Sequence, residues 1–125
     1  ITVKNRIISA NMTAQEFLAY LDQIPHLLDL ARQQDEIFRY RVQDEMRRQH
    51  REEGRPFLYS MPMRHLYRCP LCEMETTDIF HELEDPRRES KFRFSEIVLH
   101  QAAVHAVPPE ADLAAFLEMC LKETR

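Results

Sequence analysis

Glycine is nearly missing from this chain: Gly54 is the single one in 125 residues, where average usage would place about eight or nine. Tight glycine turns and glycine-rich phosphate loops are therefore scarce. No GxGxxG or GxxxxGK run occurs, which closes the usual nucleotide-binding routes. Long apolar runs are missing too: none approaches the ~18 residues that cross a bilayer, and no secretory pattern opens the chain, so no membrane partner is expected. A positive surplus is also lacking. Residues 1–60 carry nine basic and nine acidic side chains, residues 61–107 six and eight, and the tail two and four, for a formal net charge of −4. Such a chain lacks the electrostatic footprint of a phosphate-backbone binder, and nucleic acid is not the favoured partner. Three cysteines cannot all pair with one another. Two of them stand in a Cys-x-x-Cys, which suits a reducing, intracellular compartment (cytoplasmic or nuclear) and a metal or redox site, not a disulfide scaffold.

What is present fits one folded domain over 1–125, with 44% hydrophobic and 30% charged residues. It opens on Ile1 and reads as a fragment of a longer chain. Few glycines beside many Leu, Ala, Glu, Gln and Arg predict a mainly α fold. Residues 1–11 alternate weakly and suggest a short strand or an arm. Thr13-Ala14-Gln15-Glu16 is a capping box that starts a helix running towards Gln23. A second, long helix is expected from about Pro25 to Glu53, stopped by Gly54. Its end, Arg47 to Glu53, has no apolar stripe and should lie in solvent or on a partner. Residues 55–65 hold Pro56, Pro62 and apolar Phe57, Leu58, Tyr59, Met61 and Met63, as in an extended segment laid on a surface. Leu66 to Glu75 reads as strand, Cys-Pro-Leu-Cys, strand. Periodicity does not decide between strand and helix over 76–84. Ser95 caps a helix through Glu96, Ile97, Leu99 and Ala103 that ends before Pro108. A closing helix over 109–123 places Leu113, Phe116, Leu117, Cys120 and Leu121 on one face, with Cys120 as a small core residue.

Zinc takes four nitrogen or sulfur ligands in a tetrahedron. Cys69 and Cys72 offer two thiolates from one tight turn that Pro70 helps to set, and His100 and His105 on one helix offer two imidazoles. Five residues are about 140° around an ideal helix, so both histidines reach one ion only if the helix loosens near Ala102–Val104 or His105 lies past its regular end. His81 and His65 are the spare candidates.

These residues resemble the two-cysteine, two-histidine zinc finger in a variant form. Tyr67-x-Cys69-x-x-Cys72 is similar to the family's hairpin, and Ile97-x-x-His100 with His105 to its helix. The resemblance spans residues 66–106 and implies a single zinc-stapled hairpin-and-helix unit inside a helical domain. Twenty-seven residues separate Cys72 from His100, against about twelve in the family. The core aromatic falls at Phe92 or Phe94.

Two other constellations compete. His50-Arg51-Glu52 ahead of Cys69-x-x-Cys72 superficially matches the signature of zinc deaminases, but Arg68 stands where the proline belongs. Arg41, Arg48, Arg51 and Arg55 fall in about one quadrant of the long helix, yet Asp44, Glu45 and Glu52 share that side and neutralise it. A DNA-reading finger would place Arg93, Glu96 and Leu99 at its base-contacting positions. Arg93 suits guanine and Glu96 cytosine, while Leu99 reads neither. The expected function is therefore a non-catalytic, zinc-stabilised protein–protein interaction module within a larger assembly, holding its partner through the long helix and Phe57–Met63. A nucleic-acid-binding finger is the alternative and a deaminase-like enzyme the third reading.

Overall fold

The computed structural model describes residues 12–123, so the arm or strand expected over 1–11 lies outside the described residues. The mainly α expectation is overturned. Among the described residues, five α-helices accompany a three-stranded antiparallel sheet, which makes the fold a mixture of α and β. The helices are α1 (Ala14–Leu21), α2 (Leu27–Gln34), α3 (Arg39–Glu53), α4 (Glu96–His105) and α5 (Ala111–Glu123), and the strands β1 (Phe57–Arg68), β2 (Glu75–Asp85) and β3 (Ser90–Ser95). Strand β2 is central in the order β1-β2-β3.

The helix starts follow local chemistry. Thr13 and Glu16 satisfy each other's amides at 3.0 Å in both directions, closing the capping box of α1. The long helix predicted over 25–53 is two helices. Asp35 Oδ1 accepts from the amides of both Ile37 and Phe38 at 3.1 Å, and this local turn competes with helix continuation. Gly54 does end α3, in the left-handed conformation at φ 67° that glycine adopts without penalty.

The segment 55–65, expected as an extended stretch laid on a surface, is extended as the first part of β1, but its residues 57–60 are buried while 62–65 stay exposed. Phe57, Leu58, Tyr59 and Ser60 are all buried. Strand β1 is an edge, and α3 covers it with a side chain. Gln43, itself buried, donates from Nε2 to the Ser60 carbonyl and accepts the Ser60 amide at Oε1, both at 3.0 Å, as a neighbouring strand would. The register slips between Pro62 and Leu66, where proline cannot donate to a ladder. The segment 76–84, left open by periodicity, lies within β2.

Sequence patterning obscured β2 because its inner half is buried and yet polar. His81, Glu82, Glu84 and Asp85 are buried there, beside Leu83. Each acid meets arginine: Glu84 takes Arg51 in a two-point contact at 2.7 and 2.9 Å, Asp85 takes Arg87 and Arg88, and Glu82 takes Arg93 at 2.9 Å. The end of α3 keeps Arg48, Gln49, Glu52 and Glu53 exposed, as expected, but one side of it is anchored. Arg51 is tied to the sheet, and His50 is buried with its ring 5.8 Å from that of Phe57. The main core joins Phe17 and Leu21 of α1 to Leu83, Phe94, Ala102 and, from α5, Leu113, Leu117 and Cys120. Burial pushes the Cys120 thiol up to about 12, as suits an inert core residue.

Candidate metal centre

The turn between β1 and β2 presents both cysteines to one side. The Cys69 amide donates to the Met74 carbonyl at 3.0 Å, and the Glu73 amide donates back to the Cys69 carbonyl at 2.7 Å. That closure requires Glu73 at φ 59°, a left-handed position outside the glycine default. Within the turn the Leu71 amide points at Cys69 Sγ from 3.4 Å. Burial disfavours a charged Cys69, but the Leu71 and Cys72 amides, with the Cys72 and Gln101 side chains, outweigh it and hold the thiol below its ordinary value. A thiolate is the form that binds metal.

Helix α4 brings the imidazoles. Ser95 caps it, accepting from the Ile97 amide at 3.3 Å while donating to Asp78 at 2.8 Å. At its far end the Ala106 amide reaches back five residues to the Gln101 carbonyl, and Ala106 takes φ 56°. This widened last turn is the loosening that two histidines five apart require, and such π-type turns recur at functional sites. The His100 and His105 rings end 5.3 Å apart, edge to face.

One ligand atom from each of Cys69, Cys72, His100 and His105 lies within 4.8 Å of the other three. Zinc bond lengths of about 2.0–2.3 Å put tetrahedral corners roughly 3.3–3.8 Å apart. Cys72 Sγ and His100 Nε2 already stand at 3.4 Å. A contraction of the widest pair by about 1 Å completes the tetrahedron. The donor set fits on a second count: His105 Nε2 is buried with no hydrogen-bond partner, a costly state for a ring nitrogen unless a cation takes its lone pair. Two thiolates also balance a divalent charge.

The chain matches no family model, no curated protein and no solved structure. The likeness to the two-cysteine, two-histidine finger accordingly rests on the four-residue cluster itself, which is compatible with such a site.

The remaining candidates are committed elsewhere. His65 contacts Asp78 at 2.7 Å and His81 contacts Glu96 at 2.6 Å, so neither spare histidine joins the cluster. His50 Nδ1 donates to the Met46 carbonyl one turn back in α3 at 2.9 Å and is likewise outside the cluster. Arg93, the guanine-reading candidate, is held by Glu82 and lies 4.9 Å from the Phe80 ring centre. Glu96, the cytosine-reading candidate, is taken by His81. Of the arginine ridge, Arg51 is bound to Glu84, Arg55 pairs with Glu53, and Arg41 stacks over Phe38. Sequence reasoning missed Gln101 beside the Cys69 sulfur, although its place next to His100 on α4 was the available signal.

Proposed function

We propose that Cys69, Cys72, His100 and His105 hold one structural zinc ion, and that the stapled hairpin and helix carry a protein-binding surface without catalysis. The carrying observation is the convergence of four ligand atoms from two distant segments within 4.8 Å. Four protein ligands leave no open position for water, so the ion contributes folding free energy. With Phe57–Tyr59 buried, the partner-facing surface is the tip of the hairpin. There Leu66, Leu71 and Met74 are 63%, 57% and 56% exposed around the metal turn, an apolar group suited to an apolar patch on another protein.

Cobalt substitution tests the closed shell. A tetrahedral absorption band that added azide leaves unchanged is expected; a band shifted by azide means an open position and overturns the structural reading. A photo-crosslinking residue at Leu71 should give a discrete protein adduct that the same residue at exposed Gln33 does not. Duplex DNA should bind no tighter than about 10 μM at physiological salt, because Arg93 and Glu96 are engaged internally. Tighter, steeply salt-dependent binding would favour the nucleic-acid reading.

A further inference from the structure

Apart from the metal cluster, five polar side chains form an unbroken chain through the protein. Asp29 Oδ2 meets His26 Nδ1 at 3.1 Å, and His26 Nε2 meets Ser60 Oγ at 3.1 Å. Ser60 Oγ meets His81 Nδ1 at 2.8 Å, and His81 Nε2 meets Glu96 Oε1 at 2.6 Å. The chain joins α2, β1, β2 and the first turn of α4. Its centre is dry: Ser60 is 1% and His81 3% exposed.

Counting protons exposes an imbalance. Four contacts require four hydrogens. Two neutral imidazoles supply one each, the serine hydroxyl supplies one, and ionised carboxylates supply none. One contact is then left as lone pair against lone pair, which is costly at any of the three inner contacts and relieved by water only at the Asp29–His26 end, where the side chains are 57% and 34% exposed. One added proton satisfies every contact, and the geometry says where it goes. The His81–Glu96 contact is the shortest of the four at 2.6 Å, as charge-assisted bonds are. The Phe94 ring from β3 lies 5.3 Å from that of His81, a face that favours a cation. His26 is the poorer host. Burial pushes it below its ordinary value, and Arg32 and a charged His81 push the same way, against Asp29 and Glu96.

We propose that Asp29, His26, Ser60, His81 and Glu96 form a one-proton latch that ties α4 to the sheet and to α2 while the proton is held. In the closed state His81 donates to both Glu96 and Ser60, Ser60 donates to His26 Nε2, and His26 Nδ1–H donates to Asp29. Loss of the proton breaks one contact and loosens the helix that carries His100 and His105.

Nitrogen-15 chemical shifts of the histidine rings in the full chain at pH 7 test this directly, whatever the metal content. Both His81 nitrogens should be protonated and His26 should be neutral with Nε2 bare. Ser60→Ala removes two of the four contacts, and two neutral imidazoles then suffice. In that variant His81 should drop to a neutral ring protonated only at Nε2. A neutral His81 in the unaltered chain overturns the latch without need of any variant. So does a Ser60→Ala ring that stays doubly protonated.

Discussion

At the residue scale the metal cluster behaves as a unit, and single substitutions separate its members from their neighbours. His100→Ala and His105→Ala should each lose zinc, and X-ray absorption of the intact chain should show two sulfurs and two nitrogens. A three-sulfur shell would bring in Cys120 and contradict its burial in the core. His50 is the informative control. As a residue on a solvated helix end it would cost under about 0.5 kcal/mol to remove. Buried against Phe57, it should instead cost roughly 1–3 kcal/mol in denaturant titration, with zinc content unchanged. A metal-free His50→Ala would restore the deaminase reading. Asp85 adds a pH-dependent contribution. Burial opposes its charge, but Arg87 and Arg88 prevail and hold its carboxyl below the usual range. Its stabilisation is therefore present above the ordinary aspartate value near about 3.9 and lost as pH falls through the lower folded value. Asp85→Asn should destabilise by roughly 1.5–3 kcal/mol at neutral pH and flatten the acid limb of the stability curve.

At the scale of elements, two helix ends are decided by single residues. Gly54 at φ 67° leaves room for a methyl group, which would meet Arg87 Cγ at an ordinary 3.5 Å. The cost of Gly54→Ala is then backbone strain alone, about 1–2 kcal/mol. A thermal shift larger than that would mean that α3 moves off the sheet. The break between α2 and α3 rests on Asp35, whose side chain accepts two amides. Asp35→Ala should cost about 1 kcal/mol, as loss of a helix cap does, and increase helical circular dichroism if the two helices merge.

For the whole molecule, the cysteine–histidine unit and the core share elements. Strand β2, β3 and α4 contribute Leu83, Phe94 and Ala102 to the cluster built on Phe17 and Leu117. Under the proposed structural role, chelation should therefore melt the hairpin and α4 and lower the midpoint of the entire transition, since the binding free energy of a structural metal is folding free energy. Thiol labelling provides the map. In the zinc-loaded chain no cysteine should react quickly. After chelation Cys69 and Cys72 should react, while Cys120, its thiol raised to about 12 by burial, stays protected until global unfolding. Early labelling of Cys120 would show that α5 leaves with the metal.

Composition and local chemistry by themselves determined the helix starts at Thr13 and Ser95, the stop at Gly54, the amphipathic α5 and the four metal candidates. Each depends on residues near one another in the chain, and the finger-like spacing supplied the pairing of cysteines with histidines. The hairpin around the two cysteines was legible too, but tertiary structure alone decided how far the sheet extends. Strand β2 is buried while carrying His81, Glu82, Glu84 and Asp85, and a buried polar strand has no alternation to read. Its burial is tolerable only because Arg51 arrives from α3, Arg93 from β3, and Arg87 and Arg88 from the turn that follows β2. The same holds for Gln43 closing the β1 edge and for Ser60 between two histidines: isolated polar residues acquire a role only when folding sets them 17, 21 or 34 positions from their partners at hydrogen-bond distance. The widened turn that lets His100 and His105 share an ion was a requirement stated by helix geometry, but only the folded chain shows Ala106 reaching back to Gln101 to provide it.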